Sequence, residues 1–219
     1  MACAAERDAL IATVRRLFEA GVMSHAGHAN VSLRLGEDRM LLTSSGVLRG
    51  LEAEQLAVVG FDGAVLEGRL EPVTGEIVPM HTAVYRTRPE AGAVIHTHSP
   101  HATAFALAHQ ALPCRYEALL RFGQADEVPV VPWAPRGSRE SADGIAETIG
   151  AHPHTNAVLL GNHGLLAFAA DVGTAGAVVI AVEEAAEAEA RARAFGGARD
   201  FPPGALQDVR TSMQHTGTA

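Results

Sequence analysis

Two histidines two residues apart are the first sign of chemistry in this sequence. His96 and His98 lie in the stretch AVIHTHSPHA, directly after a short apolar run that predicts a buried strand. Side chains at positions i and i+2 of a strand point to the same face, so the two imidazoles project side by side and can share one cation. Catalytic zinc sites commonly use three protein ligands, with neutral imidazole at about 2.0–2.1 Å, and leave one position open. The spacing therefore predicts two ligands of a metal site.

A third ligand must come from elsewhere in the chain, and the best candidate is His163. It lies in LLGNHGLLAF, at a glycine-flanked turn between two apolar runs that predict buried strands. A single histidine beside an apolar run is usually a core residue with a hydrogen-bond partner. Three imidazoles together fit an open zinc site better, and the sequence near them holds no cysteine for a closed structural site.

An open metal site needs a base, and among the carboxylates Glu76 stands out. It lies in PVTGEIVPMH, just ahead of a predicted helix, with His81 five residues later. A carboxylate near a metal can act as a general base and then as an acid. The alternative is an ordinary helix-start carboxylate that complements the helix dipole, and the local sequence alone slightly favours that alternative.

Helices and strands alternate along the chain that must position these residues. Apolar periodicity predicts a helix over 4–22, and Asp62-Gly63 predicts the tip of a hairpin. Pro79 suits the first turn of a helix that ends before Pro89, and Ser99 is a predicted N-cap for the next helix. A long helix ends at Gly196-Gly197, after which periodicity is lost. We expect one domain over 1–198 and a loosely ordered tail over 199–219.

Composition limits the classes of partner. The chain has 219 residues, 47% of them hydrophobic, and a formal net charge of −8 without a basic run, which disfavours nucleic acid and anionic membranes. Cys3 and Cys114 lie far apart, so a reducing compartment is the default expectation. The charged N-terminal segment lacks the apolar core of a signal peptide, and no apolar run approaches the roughly 18 residues of a membrane span. We expect a cytoplasmic protein.

Taken together, the segments resemble the class II aldolase/adducin family, over about residues 6 to 195. The resemblance depends on AVIHTHSPHATA, GNHGLLAF, ANVSLR, LTSSG, EIVPMHTAVYRTRP and PRGSRE in this order and spacing. It implies an α/β fold, a three-layer αβα sandwich with a mixed, mostly antiparallel central sheet. It also implies a homotetramer with active sites between neighbouring subunits.

The resemblance also implies roles for individual residues. His96, His98 and His163 match the family's metal ligands, for zinc or for manganese or cobalt, and Glu76 matches the glutamate that exchanges protons with substrate. Tyr116 lies near a tyrosine that the aldolases take from a neighbouring subunit as an acid. The residues that match the phosphate-binding loops are Ala29, Asn30, Ser45, Gly46, Thr74 and Gly75.

Such a site fits aldol cleavage or condensation of a sugar phosphate. A metal chelated by adjacent hydroxyl and carbonyl oxygens stabilises the enediolate that forms when the C–C bond breaks, and a ketose 1-phosphate then yields dihydroxyacetone phosphate and an aldehyde. The chain departs from the aldolases in having no tyrosine in its tail and Ala29 in place of a glycine.

Other activities of the same fold stay open as alternatives. A decarboxylase would need an anion pocket, for which Arg115 and Arg121 are candidates, and a dehydratase would use the same metal. An epimerase is disfavoured because no aspartate lies in the catalytic places. A non-catalytic scaffold, as in adducin, is the remote alternative, since it has no reason to keep a metal triad.

Overall fold

The backbone of this protein forms one twisted sheet of eight strands. The computed structural model describes residues 3–216. Across the sheet the strand order is β4-β3-β2-β1-β5-β8-β7-β6. The strands are β1 (Ala29–Arg34), β2 (Arg39–Thr43), β3 (Leu56–Gly60), β4 (Val65–Glu67), β5 (Ala93–Thr97), β6 (Val130–Val131), β7 (Ala157–Leu160) and β8 (Gly164–Ala169).

The sheet is mixed and mostly antiparallel, as predicted. Every pair of neighbouring strands in the described part of the chain is antiparallel except β6 and β7, which run parallel. The strands β5 and β8 pair at the centre of the sheet, with His96 opposite Leu166. This pairing brings the end of β5 next to the turn that connects β7 and β8.

Helices cover both faces of the sheet. The described helices are α1 (Ala4–Glu19), α2 (Pro72–Gly75), α3 (Val78–Thr87), α4 (Pro100–Leu107), α5 (Glu117–Arg121), α6 (Arg139–Ala151), α7 (Val172–Ala192) and α8 (Ala205–Thr216). One apolar core joins α1, α4 and α7 to one face, and a second joins α3 and α6 to the other. The architecture is the predicted three-layer αβα sandwich.

The alternation of side chains along the strands explains the two cores. In β2, Leu41 belongs to the core under α1 and α7, whereas its neighbours Met40 and Leu42 belong to the core under α3 and α6. Successive strand residues point to opposite faces, so an uninterrupted apolar strand serves both layers. The continuous apolar runs in the sequence are therefore strands buried on both sides.

Local signals in the sequence match the structure closely. Asp62 and Gly63 form the tip of the β3–β4 hairpin, and Pro79 lies in the first turn of α3. Ser99 precedes α4 as predicted, but its hydroxyl contacts that of Thr97 at 2.7 Å instead of capping the helix. Gly196, with φ of 93°, follows the short 3-10 turn at the end of α7, because a left-handed backbone favours glycine there.

The segment after residue 198 includes a helix that the sequence periodicity did not indicate. Helix α8 lies in this tail and packs against α5. Cys3 and Cys114 are both free thiols. Among the described residues, no helix has the length and apolar character needed to cross a membrane.

Candidate active site

Three predicted histidines meet at one end of the central strands. His96 is the fourth residue of β5, His98 follows the end of that strand, and His163 lies in the turn between β7 and β8. Their ligating nitrogens all lie within 4.8 Å of one another. The ring centroids are 4.6 Å apart for His96 and His163, and 5.1 Å apart for His98 and His163. The strand spacing and the β5–β8 pairing together form the cluster.

Hydrogen bonding directs the lone pair of His96 toward the centre of the cluster. The Nδ1 of His96 lies 2.9 Å from the carbonyl oxygen of Leu165, which can only accept, so Nδ1 is the donor. Its Nε2 then carries the lone pair and lies 3.1 Å from the Nε2 of His98. A backbone carbonyl that orients a ligating imidazole in this way is typical of metal sites.

The electrostatics of the cluster favour neutral imidazoles. Desolvation by burial, and then the neighbouring histidines, hold the pKa of His96 well below its usual value. Burial, and then the neighbouring His98 and Arg136, lower the pKa of His163 to about 4, and burial also lowers that of His98. Neutral imidazole is the form that binds a metal ion. Three converging, neutral imidazoles therefore fit an open divalent metal site.

A glycine next to His163 allows the three rings to approach. A Cβ on Gly164 would lie 2.5 Å from the carbonyl oxygen of Thr97 and 2.9 Å from Cδ2 of His98. Both distances are shorter than van der Waals contact, so any side chain there would push the turn away from β5. Asn162 in the same turn has a φ of 57°, a left-handed conformation that asparagine tolerates. Backbone geometry thus accounts for Asn162 and Gly164 of this turn.

The histidines face a cavity of about 390 Å³ that holds further polar groups. Among the residues that line it are Glu76, Asn30, Gly46, Arg136 and Trp133. A concave site that combines apolar walls with a few convergent polar groups is typical of a small-molecule site. The cavity therefore joins the predicted metal ligands to the predicted base.

Glu76 lies at the C-terminal end of α2, on the exposed side of the cavity. Its Oε2 lies 3.1 Å from the Nε of Arg136, whose NH2 group also donates to the carbonyl of Val73 at 2.7 Å. The turn carrying Arg136 packs against it, since a Cβ on Gly137 would lie 3.0 Å from the Cβ of Glu76. The carboxylate is held by a loop contact and an ion pair, both at the cavity rim.

The predicted phosphate-binding residues separate into two groups. Ala29, Asn30 and Gly46 line the cavity, whereas Ser45, Thr74 and Gly75 do not. The hydroxyl of Ser45 makes a local turn with the backbone of Val47, and Thr74 is buried with no described hydrogen-bond partner for its hydroxyl.

The second predicted catalytic residue, Tyr116, lies away from this cavity. The hydroxyl of Tyr116 is 3.4 Å from Oε2 of Glu184, on an exposed surface, and the Glu184 charge raises the pKa of this tyrosine. Within the same chain Tyr116 does not reach the histidines. That Tyr116 acts as an acid stays a prediction, and it applies to the active site of a neighbouring subunit.

Arg136, Trp133 and His28 are cavity residues that the sequence did not single out. Arg136 and Trp133 come from the loop after β6, and His28 comes from the bridge before β1. Loops carry no periodicity, so only the motif PRGSRE hinted at Arg136. The arginines that the sequence offered for an anion pocket lie elsewhere: Arg115 pairs with Glu189 and Asp200, and Arg121 pairs with Glu117.

A three-layer sandwich with an open three-imidazole site and a carboxylate in the same cavity defines a metal-dependent enzyme. The model of the class II aldolase and adducin N-terminal domain family matches residues 8–190, and the chain belongs to this family. The predicted family membership and the αβα fold are thereby confirmed.

The relatives carry lyase names. The chain is 27% identical over 214 residues to a 5-deoxy-D-ribulose 1-phosphate aldolase of Bacillus thuringiensis, with 97% of each chain covered. It is 32% identical over 206 residues to a 3,4-dihydroxyphthalate decarboxylase of Arthrobacter keyseri, covering 86% of this chain and 82% of the relative. A solved L-fuculose 1-phosphate aldolase superposes with a TM-score of 0.83 at 28% identity, covering 98% of both chains. These findings support an enzyme of the class II aldolase type.

Proposed function

We propose that this protein catalyses the aldol cleavage and condensation of a sugar phosphate. A ketose 1-phosphate would yield dihydroxyacetone phosphate and an aldehyde. The observation that carries this proposal is the convergence of three neutral imidazoles on a cavity that also holds Glu76. The aldolase relative that matches nearly the whole chain supports the same reaction class.

His96, His98 and His163 would hold the metal ion, for which zinc is the first choice and manganese or cobalt are alternatives. A divalent metal at such a site acts as a Lewis acid on hydroxyl and carbonyl oxygens. The protein contributes fixed ligands: the Leu165 carbonyl orients His96, and Gly164 leaves room for the rings of His96 and His98 beside the turn that carries His163.

Glu76 is the proposed acid–base group. In cleavage, a base removes the proton of the hydroxyl next to the breaking C–C bond, so that the electrons of the O–H bond form the aldehyde carbonyl. The electron pair of the broken C–C bond stays on the ketone fragment, and an acid then protonates that carbon. One carboxylate on the cavity rim can accept the first proton and return it. Its exposed ion pair with Arg136 is weak enough to open for substrate.

The phosphate would lie at the other side of the cavity, against Ala29, Asn30 and Gly46. The amide of Asn30 and the backbone of Gly46 at the cavity wall are hydrogen-bonding groups of the kind that bind a phosphate without a lysine. We also propose a homotetramer in which Tyr116 serves the cavity of a neighbouring subunit, since its hydroxyl lies at the surface.

The test is an assay of the metal-loaded protein with a panel of ketose 1-phosphates, and in reverse with dihydroxyacetone phosphate and short aldehydes. We expect dihydroxyacetone phosphate as a product, and a fall in kcat of about 10²–10⁴-fold for Glu76→Gln with its metal content unchanged. Glu71→Gln, which alters an exposed carboxylate outside the cavity, should retain wild-type kcat. No cleavage of any sugar phosphate by metal-loaded protein would reject the proposal.

Decarboxylation is a second candidate, favoured by Arg136. Its guanidinium lies at the cavity rim, and a planar guanidinium binds a carboxylate through two parallel hydrogen bonds. In this reaction the bond to the carboxylate carbon would break, carbon dioxide would leave, and Glu76 would protonate the remaining carbon. The decarboxylase relative supports this alternative.

Release of carbon dioxide from aromatic or aliphatic hydroxy-carboxylates tests it. Arg136→Gln should then raise KM for the carboxylate, and Arg139→Gln, on the exposed surface of α6, should leave KM unchanged. If only ketose phosphates react, decarboxylation is rejected.

A further inference from the structure

A continuous line of buried polar groups runs from the cavity into the layer under α3. The Nε2 of His81 lies 2.6 Å from Oδ1 of Asn30, and its Nδ1 lies 2.7 Å from the hydroxyl of Ser32. That hydroxyl lies 2.7 Å from the hydroxyl of Tyr85. His81, Ser32 and Tyr85 are at most 1% exposed, so no solvent competes with these contacts. Only Asn30, at the end of the line, reaches the cavity.

The hydroxyl hydrogen of Tyr85 determines which group donates and which accepts in each hydrogen bond of this line. In the described part of the chain, Ser32 is the one side chain that its hydroxyl contacts, so the Ser32 oxygen is the acceptor available to the Tyr85 hydrogen. Tyr85 must therefore donate to Ser32, because a buried hydroxyl hydrogen without an acceptor is unfavourable. Ser32 has one hydrogen, and it must then donate to Nδ1 of His81.

His81 in turn donates a hydrogen bond to Asn30. Complete burial lowers the pKa of His81 to about 3, so the ring is neutral and carries one hydrogen. Since Nδ1 accepts from Ser32, that hydrogen is on Nε2 and is donated to Oδ1 of Asn30. With the opposite orientation of the amide, every hydrogen bond would reverse and the Tyr85 hydrogen would have no acceptor among the described groups.

We infer that Tyr85, Ser32 and His81 are positioning residues that hold the Asn30 amide with its NH2 group toward the cavity, as a dedicated donor to the phosphate oxygens of the substrate. The register places Asn30 opposite His96 on the neighbouring strand β5, so the donor lies beside the metal site. No partner for the NH2 hydrogens is present among the described residues, and the amide borders the cavity. The phosphate assignment rests on the proposed function, whereas the direction of the line does not.

Two variants of one residue test the inference. His81→Gln can keep the polarity, because its NH2 can donate to Asn30 while its oxygen accepts from Ser32. His81→Leu removes the donor and frees the amide to rotate. We expect the dissociation constant of inorganic phosphate, measured by calorimetry on the metal-loaded protein, to rise about fivefold to tenfold in His81→Leu and to return near the wild-type value in His81→Gln. KM for the phosphorylated substrate should rise in parallel, with kcat within twofold.

Thr82→Val is the matched control, because it removes a buried hydroxyl from the same helix outside the line. It should leave phosphate affinity unchanged. Equal phosphate affinity in wild type, His81→Leu and His81→Gln, or no phosphate binding by the wild type, would overturn the inference.

A spectroscopic measurement tests the direction without any substrate. Nitrogen-15 spectra of the imidazoles should show His81 as the tautomer protonated at Nε2, throughout the range from pH 5 to pH 8. Protonation at Nδ1 would mean that the hydrogen bonds between Tyr85 and Asn30 run in the opposite direction, and it would overturn the inference. This result stands apart from the proposed aldol reaction, because the tautomer can be read even if the protein cleaves no sugar phosphate.

Discussion

The two sides of the cavity differ in construction. On the metal side, His96 is 3% exposed and lies in a central strand, with a backbone carbonyl fixing its ring. On the opposite side, Glu76 follows a four-residue helix, and its side chain is 53% exposed and pairs with an arginine from another loop. One side is held by the sheet, and the other by loop contacts.

The difference suits two kinds of chemistry. Metal ligands need a fixed geometry, and strands buried on both faces provide it. An acid–base group must reach a proton at one stage and return it at another, so some freedom of movement helps. Loops on a rigid scaffold offer that freedom. Variants on the two sides should therefore differ in kind as well as in size.

The largest effect should come from His96→Ala. Removing one of three ligands leaves a pair that cannot hold an open site, so we expect about one metal ion per chain in the wild type and almost none in the variant. Elemental analysis of purified protein checks this, together with loss of activity. His154→Ala, which removes an exposed imidazole that does not line the cavity, should keep both. Equal metal content in His96→Ala and wild type would contradict the assigned ligand set.

On the metal side of the cavity, Gly164→Ala should have a smaller effect than His96→Ala on metal binding. The new methyl group would collide with the Thr97 carbonyl and with His98, and would shift the turn that carries His163. We expect metal affinity to fall about 10–100-fold, as when other supports of metal ligands are removed. Competition with a chelator measures it.

Gly150→Ala is the control for this substitution. That glycine lies in α6 with nothing within 4 Å of the added carbon, so alanine should be neutral or slightly stabilising. Unaltered metal affinity in Gly164→Ala would show that the turn tolerates the shift and that the close approach is not needed.

Acid should lower the free energy of unfolding, because His81 is buried in its neutral form. The unfolded chain protonates His81 below its usual pKa of 6.5, whereas burial lowers the pKa in the folded protein to about 3. Its contribution to stability is therefore complete above pH 6.5 and is lost progressively as the pH falls toward 3. From pH 6.5 to pH 5 the loss is about 2 kcal/mol.

Urea unfolding of metal-free protein at several pH values measures this loss. The free energy of unfolding of His81→Gln should fall less steeply with acid than that of wild type, by the same amount over the same interval. Parallel curves for the two proteins would mean that His81 is protonated in the folded state, contrary to its buried hydrogen bonds.

The smallest effect should come from the loop side. Arg136→Gln breaks an ion pair whose side chains are 45% and 53% exposed, so the free energy of unfolding should change by no more than about 1 kcal/mol. Arg139→Gln, which breaks an exposed pair with Asp143, should behave similarly. A loss above about 2 kcal/mol for Arg136→Gln alone would show that the loop is a structural element and would remove the contrast between the two sides.

Much of this protein was predictable because its signals are local. Strand alternation placed His96 and His98 on one face, and Pro79 marked the start of α3 correctly. The short apolar runs predicted buried strands, whereas the three-layer sandwich was implied by the resemblance to the family. In each case neighbouring residues settle the outcome, since periodicity and backbone restriction act over a few positions.

Tertiary structure alone decided the rest. His163 was the predicted third ligand, but it reaches the other two only because β8 pairs with β5, a contact between segments about seventy residues apart. The pairing of Glu76 with Arg136 and the line from Tyr85 to Asn30 likewise join distant segments, and the exposure of Tyr116 depends on packing. Side-chain identity states what a residue can donate, accept or ligate. Which partner it meets depends on strand order and on loop paths, and neither has a periodic signature in the sequence.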